Sequence, residues 1–308
     1  MILINALGLL LGFGLLVKGA DWFVEGAGGI AQKMKIPQLV IGLTIVAMGT
    51  SAPEAAVSIN AALKGNAAIT IGNIVGSNIL NILIILGITA LIMPLKVQPS
   101  CLKIDIPYMI GITLVLIFMG YTNEYVTRAE GSILLILFII YLSYLFVLTK
   151  KSDENEEEIT NHKAPALIMY VLAGLVMIVW GSDLTVDCAT RIAQQMGVSE
   201  RFIGLTIVAF GTSLPELVTS VIAARKGNAD IAIGNIIGSN IFNILFIVGI
   251  TSVITPVLYE NKFLIDGFVA VGAGVLLLLS IRKYKELRKG WGIIFLLTYS
   301  LYFCYLLF

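Results

Sequence analysis

At 308 residues, with 58% hydrophobic and only 13% charged residues and a mean hydropathy of +0.97, the chain is too apolar for a soluble globular domain and reads as a polytopic membrane protein. A net charge of +1 argues against nucleic acid as a partner, and 33.2 kDa leaves little mass outside the bilayer. The three cysteines, Cys101, Cys188 and Cys304, lack metal-ligand spacing and argue against a zinc site or a disulfide framework.

A helix rising 1.5 Å per residue crosses ~30 Å of hydrocarbon in about 20 residues. Apolar stretches of that length lie at about 3–31, 38–63, 69–93, 105–121, 130–148, 165–195, 201–224, 231–257, 264–281 and 290–307, giving ten predicted helices. The first, "MILINALGLLLGFGLLVKGADWF", lacks the basic start and cleavage pattern of a signal peptide. The polar interval "KKSDENEEEITNHK", residues 150–163, has the composition of a solvated linker and lacks the glycine and alternating ligands of a calcium loop. It separates five helices in 1–149 from five in 164–308.

Displacing the chain against itself by 162 residues aligns "VIGLTIVAMGTSAPE" (40–54) with "FIGLTIVAFGTSLPE" (202–216), identical at 12 of 15 positions. The same offset aligns "IGNIVGSNILNI" (71–82) with "IGNIIGSNIFNI" (233–244), identical at 10 of 12. The halves therefore descend from one unit, and the first helix, with its counterpart at about 165–187, is part of the fold. An odd number of spans per unit makes the second copy enter the membrane in the opposite direction. The expected fold is all-α, ten transmembrane helices as two inverted five-helix repeats. Of the 20 Lys and Arg residues, 14 fall on the face holding the 150–163 linker and 5 on the other, with Lys18 inside the first helix and read as snorkelling toward the linker face. The positive-inside rule then makes the linker cytoplasmic and both termini external, in the cell's inner (plasma) membrane.

Glu54 and Glu216 stand in apolar runs, and an ionised carboxylate at mid-bilayer costs about 3 kcal/mol even on lenient scales. In an inverted repeat the two face each other near the midplane, where a cation relieves their repulsion. Gly49 with Pro53, and Gly211 with Pro215, are expected to interrupt the second and seventh helices and release backbone carbonyls. Thr50 lies one turn before Glu54, beside Ser51, and Thr212, Ser213 and Glu216 repeat the arrangement. Ser77 with Asn81, and Ser239 with Asn243, offer hydroxyl and amide oxygens at a spacing of four. Oxygen-only ligation suits Na⁺ and Ca²⁺ and argues against zinc or copper. The alternative for Asn81 and Asn243 is an interhelical hydrogen bond without an ion. Ser58 and Ser220 read as bonding back to their own helices, and Gly72, Gly76, Gly234 and Gly238 as close packing around the broken segments. Asp21, Glu25, Asp183 and Asp187 fit either a membrane edge or an ion entrance.

The pairs "GTSAPE" with "GSNILN" and "GTSLPE" with "GSNIFN" resemble the alpha-repeats of the sodium/calcium exchanger family, prokaryotic type, within the cation/calcium antiporter superfamily. The resemblance spans essentially the whole chain. It implies that Glu54 and Glu216 are shared ligands for Ca²⁺ and Na⁺, with Thr50 and Thr212 adding oxygens to the calcium site. It also implies that Ala47, Ser51 and Ser77, and Ala209, Ser213 and Ser239, line outer sodium sites, and that the first and sixth helices slide across the other eight. Some relatives, including potassium-dependent members, carry Asp where this chain has Asn243; with amides at 81 and 243 the site charge is −2, which weakens a case for potassium. The proton-coupled branch usually lacks the "GTS" found here, so sodium is the expected counter-ion. The expected function is Na⁺/Ca²⁺ antiport by a monomer in the lipid bilayer, with no cofactor and no enzymatic activity. Proton-coupled calcium antiport, a cation channel and an intramembrane hydrolase using both glutamates are the competing readings.

Overall fold

In hydrocarbon each backbone N–H and C=O must find its partner inside the protein, and a run of apolar residues achieves this as a helix. The computed structural model describes residues 2–64, 67, 69–151, 163–197 and 209–307. Linker residues 152–162, and residues 201–208 at the start of the seventh predicted helix, lie outside the described residues.

The first half contains α1 (Ile2–Met34), α2 (Gln38–Thr50), α3 (Ala52–Leu63), α4 (Ile69–Ile92), α5 (Cys101–Thr122) and α6 (Arg128–Lys151). The second contains α7 (Ala164–Gln195), α8 (Ala209–Thr212), α9 (Leu214–Arg225), α10 (Ala229–Ile254), α11 (Lys262–Arg282) and α12 (Lys289–Leu307). Among the described residues, seven of these helices are long and apolar enough to cross a membrane, or eight if the bent pair α2–α3 is one span. The chain is an all-α polytopic membrane protein.

Burial separates a core from a periphery. The most apolar windows of α10 and α4 are 94% and 78% buried, against 22% for α1 and 28% for α7. The outer pair pack on each other through glycines. A Cβ at Gly19 would meet the Gly174 carbonyl oxygen at 2.8 Å, and one at Gly181 would meet that of Gly12 at the same distance. As the α1 residues ascend their α7 partners descend, so the two helices run antiparallel with backbones in near contact.

Two short antiparallel ribbons interlock the halves. β1 (Leu95–Lys96) pairs with β4 (Glu286–Leu287), while β2 (Tyr125–Val126) pairs with β3 (Val257–Leu258). The outer hairpins also repeat a polar contact: Tyr141 donates to Asp105 Oδ1 at 3.0 Å, joining α6 to α5, and Tyr302 to Asp266 Oδ1 at 2.8 Å, joining α12 to α11.

The helix breaks fall at Ser51 (φ −81°, ψ 10°) and Ser213 (φ −92°, ψ 5°), and α2 and α3 are bent by 50°. Pro53 and Pro215 sit in the first turn of α3 and α9, where their missing N–H is tolerated and the preceding helix is forced to stop. Gly49 and Gly211 have a second task beside the breaks. They make room for α1 and α7: a Cβ at Gly49 would lie 2.9 Å from the Phe23 ring, and one at Gly211 would overlap the Val186 side chain. The carbonyl of Gly211, deprived of its helical donor by Pro215, accepts the Ser182 hydroxyl at 2.9 Å instead.

Candidate cation site between the two halves

Both breaks turn their helix ends inward against α4 and α10, and this brings the two copies of the motif together. Glu54 and Glu216 are each only 1% exposed and lie within electrostatic reach of one another. Ser51 donates to Glu216 Oε1 at 2.8 Å, and Ser213 donates to Glu54 Oε1 at 3.3 Å. Each carboxylate is therefore held by a hydroxyl from the opposite half. Ser239 makes a longer contact to Glu216 Oε1, 3.5 Å, and another to the Ala47 carbonyl, 3.4 Å; Ser213 also reaches Ser77 at 3.4 Å. Bonds this long are weak and are readily exchanged for a better partner.

The amides continue the pattern. Asn81 and Asn243, each 1% exposed, stand at the start of π-helical turns, Asn81–Ile85 and Asn243–Val248. Such bulges are frequent at functional sites. Thr50 is fully buried and donates to Asn235 Oδ1 at 2.9 Å and to the Ala47 carbonyl at 3.3 Å. Thr212 is half-buried and lines a cavity with Pro53. Among the predicted residues, hydrogen bonds join Glu54 to Ser213 and Ser77, and Glu216 to Ser51, Ser239 and, through the Ala47 carbonyl, Thr50. The turns that begin at Asn81 and Asn243 pack against the helices that carry Glu216 and Glu54, and the Ala209 side chain lies outside the described residues.

Four acceptors are left over. Glu54 Oε2, Glu216 Oε2, Asn81 Oδ1 and Asn243 Oδ1 are buried and, among the described residues, receive no hydrogen bond. Among the described residues no ion pair reaches either glutamate. A neutral buried acceptor without a donor costs about 1–3 kcal/mol, and a charged one more. Two carboxylate and two amide oxygens, with hydroxyls beside them, are the donor set of a hard cation. Among the described residues no group of three or more His, Cys, Asp or Glu side chains could hold a metal, so the neutral oxygens are essential to any cation bound here.

Two expectations change. Ser58 and Ser220 do not serve their own helices: Ser58 accepts from Asn73 Nδ2 at 3.1 Å, while Ser220 accepts from Asn235 Nδ2 at 3.0 Å and donates to the Ala232 carbonyl at 3.4 Å. Gly234 and Gly238 do pack closely, on Leu39 and Leu43 of α2, but Gly76 meets no described atom within 4 Å. It lines a cavity of about 290 Å³ with Ser77 and Asp266.

Four asparagines outside the predicted set also take part. Asn73 and Asn235 donate to the carbonyls of Glu54 and Glu216, both at 3.4 Å, tying each broken helix to α4 or α10. Asn78 and Asn240 bond to each other's backbone across the interface. All four recur at the 162-residue offset inside the motifs already aligned, which was the available signal.

The mouths differ. Asp183 and Asp187 on α7 line a cavity of about 610 Å³ together with Ala52, Pro53, Gly211 and Thr212. Their counterparts Asp21 and Glu25 on α1 are clasped by Lys226, 2.7 Å from Asp21 and 3.4 Å from Glu25. Lys18 also pairs with Asp21, at 2.9 Å, and stands 5.6 Å over the Trp22 ring.

Comparison with known proteins follows the same lines. The family described as "Sodium/calcium exchanger protein" matches residues 4–147 and 166–308. The chain is 39% identical to a putative antiporter, CaxA, of Alkalimonas amylolytica, covering 99% of each chain. It is 34% identical to the sodium/calcium exchanger MaX1 of Methanosarcina acetivorans, covering 97% of each. Its fold superimposes on the sodium-calcium exchanger NCX_Mj with a TM-score of 0.87 at 34% identity, covering 99% of this chain and 100% of that one.

Proposed function

This chain belongs to the sodium/calcium exchanger family, and on that premise we propose that it is a secondary antiporter exchanging Na⁺ for Ca²⁺ at the Glu54–Glu216 site by alternating access. The observation that carries this reading is the set of four buried, unpartnered oxygens contributed equally by the two halves. Two carboxylates supply a charge of −2, which one Ca²⁺ or two Na⁺ neutralise equally well. One anionic site is then satisfied by either load, and leaving it empty is the costly state.

The proposed frame is ten spans in two inverted five-helix repeats, 1–149 and 164–308, joined by a cytoplasmic 150–163 linker with both termini outside the inner membrane. The reciprocal bonds Ser51–Glu216 and Ser213–Glu54 support that pseudo-symmetry. Access from one side at a time is supported by the unequal mouths: a cavity beside Asp183 and Asp187, and a lysine clasp over Asp21 and Glu25. In the proposed orientation the clasped mouth is cytoplasmic and the open one external. The weakly buried α1–α7 pair, joined along its glycine seam, is the element suited to move. Ca²⁺ and Na⁺ are substrates, no cofactor takes part, and one chain encloses the site.

The test is calcium-45 flux through reconstituted Glu54→Gln and Glu216→Gln variants. Each is expected to fold and to lose transport, because one charge no longer balances a dehydrated Ca²⁺; normal flux in either contradicts the assignment.

A further inference from the structure

We propose that Asn78 and Asn240 are positioning residues that force Asn81 and Asn243 to present oxygen, not nitrogen, to the transported cation. An asparagine amide is nearly symmetric in shape, and only its hydrogen bonds decide which end faces a site. Here the decision starts at two groups that can only accept. Asn78 Nδ2 donates to the backbone carbonyl of Asn240 at 3.2 Å, and Asn240 Nδ2 donates to that of Asn78 at 3.1 Å. A carbonyl cannot be satisfied by an amide oxygen, so the polarity of both side chains is set. Their oxygens then turn outward. Asn240 Oδ1 accepts Asn81 Nδ2 at 2.9 Å, and Asn78 Oδ1 accepts Asn243 Nδ2 at 3.0 Å.

The amide nitrogens of Asn81 and Asn243 are thereby drawn away, and their oxygens are left buried without a donor among the described residues. All four residues are at most 4% exposed, so no bulk water competes for the choice. A clasp serving only to join α4 and α10 would need just the two bonds to backbone. The second pair of bonds does something else: it leaves each amide oxygen buried and free, on turns that pack against the helices carrying Glu216 and Glu54. With the amides reversed, N–H groups would face a cation and repel it.

The connections are crossed, and that makes the inference testable. Asn78 orients Asn243, whereas Asn240, still held by the Asn78 backbone, orients Asn81. The inference rests on the exchange reading above, so the experiment separates the two. Calcium-45 binding to the purified full chain comes first, followed by the half-saturating Ca²⁺ concentration and maximal exchange rate for Asn78→Ala, Asn243→Ala, Asn81→Ala and their pairs. Asn78→Ala is expected to raise the half-saturating Ca²⁺ about tenfold, the loss of one buried bond, with the maximal rate within about twofold. Its effect should nearly vanish in the Asn243→Ala background and persist undiminished with Asn81→Ala. If Asn78→Ala does not fold, Asn240→Ala gives the mirror test, coupled to Asn81 and not to Asn243. Equal effects in both backgrounds, or a loss of rate without loss of affinity, overturn the positioning role while leaving exchange intact. Absence of Ca²⁺ binding by the unmodified protein overturns both.

Discussion

The Ser51 hydroxyl donates to Oε1 of Glu216, a residue 165 positions away, at 2.8 Å. It is shorter than the Ser213 contact to Glu54 Oε1, 3.3 Å, and with it means that each half of the chain completes the other's carboxylate. A hydrogen bond to a charged group is worth about 1.5–3 kcal/mol. Ser51→Ala is therefore expected to weaken cation binding more than Ser213→Ala, whose bond to Glu54 is 3.3 Å. Titration of exchange rate against Ca²⁺ and against Na⁺ measures both, and the opposite order would show that the hydroxyls act as direct ligands rather than through the carboxylates.

The seam between α1 and α7 makes a prediction with its own control. Gly19 lies against the α7 backbone, while Gly14 on the same helix has nothing within 4 Å of a Cβ position. Gly19→Val is expected to separate the helices, lowering thermal stability by about 1–3 kcal/mol as overpacking does and slowing exchange. Gly14→Val should be silent in both respects. Unfolding of the detergent-solubilised variants reads the difference.

Lys226 holds Asp21 and Glu25 together where the corresponding Asp183 and Asp187 line an open cavity. Lys226→Ala is expected to let that mouth open more often. With Cys304 removed, a cysteine at Ala224, fully buried two residues before Lys226, should react faster with a membrane-impermeant thiol reagent added on the Lys226 side. An unchanged labelling rate would make the lysine an ordinary surface ion pair.

Much of the site was legible because the chain states it twice. The 162-residue offset singled out Glu54 with Glu216 and Asn81 with Asn243 from apolar surroundings, and in the folded chain all four are buried with an oxygen that no described donor reaches. What stayed hidden was direction. Ser58 has the spacing of a helix back-bonding serine, and only the approach of α4 gives it Asn73 instead. Asn78 and Asn240 stand in the same motifs as their neighbours, but period and spacing do not tell which amide faces its twin and which faces the site. The Asp105–Tyr141 and Asp266–Tyr302 contacts escaped for another reason: their offset is 161, one residue short of the repeat. The Lys226 clasp joins residues 205 apart that no local pattern connects.

The most direct test is calcium-45 uptake into proteoliposomes loaded with Na⁺, with and without an outward Na⁺ gradient, and with a pH gradient as the control. Uptake that requires the Na⁺ gradient is the predicted result. Uptake driven by the pH gradient alone, or equilibration that needs neither gradient, would contradict sodium-coupled exchange.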